Sequence, residues 1–106
     1  MHEPVYRFMP ARELMNLAAG NWASWKSDLE IEREPHPDDG SVVEVPHIRF
    51  TPDEDAARAQ ATCRGGLVIL DIALLTEGSD YLRRGGEVFV AADVLVGEPV
   101  TIDLRP

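Results

Sequence analysis

The stretch LVILDIALL, residues 67–75, decides how this chain is read, because it is a continuous apolar run broken only by Asp71. Its length and β-branched content favour a strand, although Leu67, Leu70 and Leu74 are also spaced for a helix. Taken as a strand, it becomes the fourth in an order of alternating elements. Asp71 is the anomaly: if buried, it needs a partner or a raised pKa, and it is then the best acid/base candidate of the chain. A bulge, an edge position or a satisfied polar pair is the plainer reading of the same residue.

Upstream of this run, VYRFM at 5–9 alternates as a short strand, and Pro10 suits the first position of a helix. That helix is expected at about residues 10–26. Leu14, Leu17, Ala18, Asn21, Trp22 and Trp25 form its stripe, and Gly20 is a point of termination or kinking. Trp22 and Trp25 share one face, which fits core anchors more simply than an exposed binding patch. In DLEIERE, Leu29 and Ile31 alternate with Asp28, Glu30, Glu32 and Glu34, so one face of a strand is apolar and the other acidic. PHPDDG is turn chemistry, and SVVEVPHIRF returns as a second strand, giving a β-hairpin. The apolar phase of that second strand shifts at Pro46, which predicts a bulge or an edge.

TPDE at 51–54 reads as a helix start with Thr51 as N-cap and Glu54 completing a capping box. The helix is expected to reach about Cys63 and stop at Gly65 and Gly66. Beyond the 67–75 run, TEGSDYLRRGG reads as a turn with one helical turn between 79 and 84. EVFVAADVLV and VTIDL then read as strands joined by GEP. The predicted fold class is α+β, a single domain over residues 1–106. Its β-α-β-β-α-β order is the ferredoxin-like one, with an additional C-terminal β-hairpin. That order transfers no function by itself. RGGLVIL and RGGEVFV resemble a repeat, but two glycine turns entering two strands account for it.

At 106 residues, 44% hydrophobic and 27% charged, the composition fits one packed domain. The start MHEPVYRFMP lacks signal-peptide character and no apolar run approaches a membrane span, so a cytoplasmic location is expected. With one cysteine, Cys63, no internal disulfide or multi-cysteine zinc site is possible. The net charge of −9 is concentrated between residues 28 and 55. There Asp28, Glu30, Glu32, Glu34, Asp38, Asp39, Glu44, Asp53, Glu54 and Asp55 are opposed only by Arg33 and Arg49, which leaves −8. The other nine acids and eight bases leave −1. Such a segment repels nucleic acid and anionic membrane, so neither is an expected partner.

Chemistry-bearing motifs are sparse. His36, Asp38, Asp39, Glu44 and His47 include metal-binding side chains, but their spacing matches no zincin helix or EF-hand loop, and no metal or other cofactor is assigned. Cys63 reads as a small buried hydrophobe at a helix end, with Arg64 beside it as the one feature that would activate a thiol. No Ser-His-Asp set and no phosphate-binding glycine loop is legible.

The acidic segment is therefore the candidate site. Glu30, Glu32 and Glu34 on alternate positions of a strand stand about 6.6–6.8 Å apart, a row of mutually repelling charges. A protein partner with a basic surface accounts for that concentration better than solubility alone. The expected function is a non-enzymatic inhibitor or adaptor that imitates nucleic-acid charge, the general character of small phage-encoded antagonists of host defence. Rival readings are a structural subunit of a larger assembly such as a virion or secretion machine, with homo-oligomers possible, and a small enzyme or ligand binder using Asp71, His47 or Cys63.

Overall fold

The computed structural model describes residues 2–21, 29–32 and 44–105, with residues 29–32, 44 and 105 described by their backbone. The chain is α+β. Strand β1 (Pro4–Pro10) leads into helix α1 (Ala11–Ala19), and β2 (Leu29–Glu32) and β3 (Glu44–Phe50) follow. After α2 (Glu54–Arg58) come β4 (Gly65–Asp71), a 3-10 turn (Ile72–Leu74), β5 (Tyr81–Arg84) and β6 (Glu87–Ala91). Helix α3 (Ala92–Gly97) and β7 (Thr101–Arg105) complete the order. The strands form two antiparallel sheets, one ordered β1-β4-β7 and the other β2-β3-β6-β5.

The expected β-α-β-β-α-β succession is present along the chain through β4, but the ferredoxin-like sheet, which needs β1 between β3 and β4, is not formed. β1 does pair with β4, but toward β3 it makes only the isolated bridge of Tyr6 to Thr51. The additional C-terminal hairpin is corrected as well. β7 pairs with β4, and the strand expected over 87–96 ends at Ala91 and continues as α3. The hairpin that does form joins β5 to β6 through Gly85 and Gly86, both at positive φ, where a side chain would strain the backbone. Tyr81–Arg84 is therefore strand, where a helical turn was expected.

Physical reasons for the other differences are local. The 67–75 run is strand only to Asp71, because its carboxylate accepts the Ala73 N–H at 3.0 Å and caps the 3-10 turn that reverses the chain. α2 is shorter than the expected 52–63. Asp53, not Thr51, is its cap, accepting the N–H groups of Asp55 at 3.0 Å and Ala56 at 3.2 Å, while Thr51 is held by its bridge to β1. Pro10 sits one residue before α1 as the last residue of β1, and α1 ends at Gly20, whose φ of 68° is left-handed. The hairpin of β2 and β3 pairs as expected, but without a bulge at Pro46. β3 lies between β2 and β6, and Val45, Pro46, His47 and Ile48 are all buried, so both of its faces are covered. The phase shift at Pro46 reflects that two-sided burial. The expected turn at 35–40 and the residues Trp22 and Trp25 lie outside the described residues.

One core cluster draws Val5, Met9, Val68 and Leu70 from the first sheet and Ile48, Phe50, Tyr81, Val88 and Val90 from the second. Leu17 of α1, Ile72 of the 3-10 turn, and Ala92 and Leu95 of α3 complete it. α2 packs against β1, burying Ala57. Close approach of β1 to β4 depends on Gly65: a Cβ there would overlap the Met9 carbonyl oxygen and lie 2.9 Å from Phe8 Cζ. Gly65→Ala is expected to lower stability by about 1–3 kcal/mol in urea unfolding, the range for forced overpacking. Gly97→Ala, at the open end of α3 with nothing within 4 Å, is expected to change it by no more than about 0.5 kcal/mol.

Candidate functional site

The acidic positions occupy the ladder of β2 and β3 and the turn into α2. Among the described residues, Glu32 is the register partner of Glu44, and Glu30 that of Pro46. Two carboxylate-bearing positions are thus directly opposite each other across an antiparallel pair, where like charges destabilise. Asp28, Glu34, Asp38 and Asp39 lie outside the described residues, as does His36. At the other end of the segment, Asp53 is the α2 cap and Glu54 bonds Arg58 at 2.8 Å; Asp55 is exposed in the first turn. Arg58 also donates to Asp103 of β7 at 3.1 Å, and Glu54 and then Asp103 raise its pKa.

Beside this segment two clefts open at the junction of β1, β3 and α2. The larger, about 340 Å³, is lined by Tyr6, Arg49, Thr51, Asp53, Gln60 and Glu87 among others. The smaller, about 260 Å³, shares Arg7, Arg49 and Gln60 with it and reaches Cys63. Arg7 lies between Val5 and Met9 on the core-facing side of β1 and turns out of the core through charge pairing. It bonds Glu13 at 2.6 Å and donates to the Arg49 carbonyl at 2.9 Å, so it ties the first sheet to α1 and to the second sheet. Arg49 pairs with Glu87 at 3.1 Å. These basic residues line the clefts while engaged with acids, which makes the clefts walls of ion pairs more than apolar binding pockets. The sequence signal for Arg7 was legible: a charge at an apolar-phase position of a strand must find a partner.

The remaining candidates resolve individually. Cys63 is exposed, because α2 stops at Arg58 and leaves it on the loop beyond, so the expectation of a buried helix-end thiol is corrected. His47 is buried on β3, and its Nδ1 lies 2.9 Å from the Val45 carbonyl oxygen. A carbonyl only accepts, so Nδ1 carries the proton and donates. Asp71 is half-buried and accepts three hydrogen bonds: from the Glu3 N–H at 2.9 Å, from His2 Nδ1 at 2.7 Å and from the Ala73 N–H at 3.0 Å. Those bonds hold its pKa down at about 2, the Glu3 N–H being the largest cause, which is opposite to the raised value a buried acid/base would have. It is a latch for the start of β1. Among the described residues no group of three histidine, cysteine or carboxylate side chains is placed to hold a metal ion, and no helix is long and apolar enough to cross a membrane.

Comparison of the chain with protein-family models, with curated proteins and with solved structures found no match. The fold and the charge distribution are therefore the basis for any reading of function.

Two measurements check the geometry. Asp71 has a folded pKa below its ordinary value of 3.8, so its contribution to stability is complete above pH 4 or so and is lost as pH falls toward about 2. Asp71→Asn is expected to melt below the parent at neutral pH and to converge with it near pH 2 in calorimetry. Arg7 and Glu13 have side chains only 19% and 13% exposed, so Arg7→Met strands a poorly hydrated carboxylate. That substitution is expected to cost about 1.5–3 kcal/mol in urea unfolding, the range for hydrogen bonds to charged groups.

Proposed function

We propose that the chain is a non-enzymatic binding module whose acidic segment, residues 28–55, docks on a basic, nucleic-acid-binding surface of a protein partner, as an inhibitor or adaptor. The observation that carries this reading is the pairing of Glu32 opposite Glu44 in the β2–β3 ladder, within a segment that holds −8 of the −9 net charge. A like-charge cross-strand pair weakens the free hairpin, and a cationic partner turns that cost into attraction. Concentrated charge also speeds encounter, and it does so in a salt-dependent way.

The disposition of the other charges supports the same reading. Arg83 bonds Glu77 and Glu3, and Arg58 bonds Asp103 as well as Glu54, so these cations serve the fold. Asp71 and Asp80 are satisfied by backbone N–H groups. A cytoplasmic setting, in which an exposed Cys63 stays reduced, accords with this function.

Affinity capture from the native host at low and high salt, read by mass spectrometry, tests the proposal. A nucleic-acid-binding protein is expected to be retained at low salt and released at high salt. A chain carrying Glu30→Gln, Glu32→Gln and Glu34→Gln together is expected to lose it. Retention that ignores both salt and the triple substitution would remove the basis for an electrostatic interface.

A further inference from the structure

β7 is the outer strand of the β1-β4-β7 sheet, and among the described residues no strand pairs with its outer edge. The direction of its free backbone groups follows from the far side of the sheet. Tyr6 exchanges both of its backbone hydrogen bonds with Thr51, at 2.7 and 2.9 Å, so its peptide groups point away from β4. Alternation then turns Val5, Arg7 and Met9 toward their partners Leu70, Val68 and Gly66. The intervening residues of β4, Gly65, Leu67 and Ile69, turn the other way and bond Arg105, Asp103 and Thr101. Ile102 and Leu104 are left with their N–H and C=O groups aimed at the open edge.

These same two residues are the exposed large hydrophobics of the strand, 42% and 71% exposed. They stand side by side over Gly66, where a Cβ would lie 2.9 Å from Ile102 Cγ2 and 3.2 Å from Leu104 Cδ2. No proline, lysine or bulge lies inside Thr101–Arg105, and its charged residues, Asp103 and Arg105, have their peptide groups turned toward β4 rather than toward the open edge.

We propose that two copies of the chain join through this edge, β7 against β7, in an antiparallel register centred on Asp103. That register sets Ile102 opposite Leu104 of the second copy, and Leu104 opposite its Ile102. All four outward-facing peptide units then find partners, and the two apolar pairs close over one face. The two-fold axis passes between the Asp103 residues, on the face that carries α2. Each Asp103 carboxylate is already held by Arg58 at 3.1 Å, a guanidinium it shares with Glu54, so one guanidinium per copy stands beside the facing Asp103 pair and offsets part of its repulsion. An isologous contact of this kind closes with two copies and leaves no growing edge at β7. It uses no residue of the acidic segment other than Glu54, through its shared Arg58, so it stands independently of the partner proposed above.

Sedimentation velocity over a concentration series, reaching the millimolar range, is the test. A dimer that dissociates on dilution is expected, and Leu104→Lys is expected to abolish it while far-UV circular dichroism and the unfolding midpoint stay unchanged. Asp103→Cys in a Cys63→Ser background is expected to form an intermolecular disulfide on mild oxidation, because Asp103 faces itself at a non-hydrogen-bonded pair with Cα atoms about 4.5 Å apart. Thr101→Cys in the same background, facing Arg105 of the other copy, is expected not to. The cross-linking pattern decides the matter should Leu104→Lys disturb the fold. A chain that is monomeric at every concentration, or a dimer that Leu104→Lys leaves intact, overturns the proposal.

Discussion

β4 is hydrogen-bonded along both edges, to β1 and to β7, and supplies Val68 and Leu70 to the core; the first sheet is built around it. Two local features let it do so. Gly65 and Gly66 admit the Met9 backbone on one side and the Ile102 and Leu104 side chains on the other, where any side chain at those positions would collide. Asp71 then ends the strand by capping the 3-10 turn and holding the Glu3 N–H, which fixes the start of β1 in register with it. A strand entered by two glycines and stopped by a carboxylate thus sets the position of both of its neighbours.

The joining of the two sheets is a separate matter, shared between apolar packing and arginine. The core cluster takes side chains from both sheets, and a fully buried side chain of valine, leucine or phenylalanine size contributes about 1.5–3 kcal/mol. Exposed ion pairs contribute on the order of 0.2–1 kcal/mol, so the part of the Arg83 pairs is geometric more than energetic, while the largely buried pair of Arg7 with Glu13 contributes to both. Arg7 reaches from β1 to Glu13 and to the Arg49 carbonyl of β3, and Arg83 reaches from β5 to Glu3 ahead of β1. Each crosses from one sheet toward the other at a margin of the core. With Arg7, Arg49, Arg58 and Arg83 engaged by acids in this way, the concentration of carboxylates over residues 28–55 is the feature on which the proposed docking on a cationic surface rests.

The candidate site was legible in the sequence to the extent that charge is legible. The ten acids of residues 28–55 and the period-two pattern of Leu29 and Ile31 can be counted directly, and the pairing of β2 with β3 was expected from the turn-forming composition of PHPDDG. The opposition of Glu32 to Glu44 could not be counted, because register depends on where the turn closes. Nor could the different fates of neighbouring acids: Asp53 caps a helix and Glu54 pairs with Arg58, while Asp55 beside them is exposed. Cys63 shows the same limit. Its exposure follows from α2 stopping at Arg58, short of Cys63, which the local pattern did not show.

By itself the sequence determined the α+β class, the first strand, the presence of a helix after it, the β2–β3 pairing and the concentration of negative charge, because each depends on residues close together in the chain. That the helix ends at Ala19 and does not run on past Gly20 toward residue 26 was decided by the structure. Only the tertiary structure decided that the strands divide into two sheets, that β7 returns to β4, and that EVFVAADVLV bends from strand to helix at Ala92. Alternation shows that a segment can be a strand without showing which strand it joins. The choice is made by burial: Ala92 and Leu95 fill the core from a helix, and β7 completes the second edge of β4. Those contacts link residues far apart in sequence, so no local pattern could specify them.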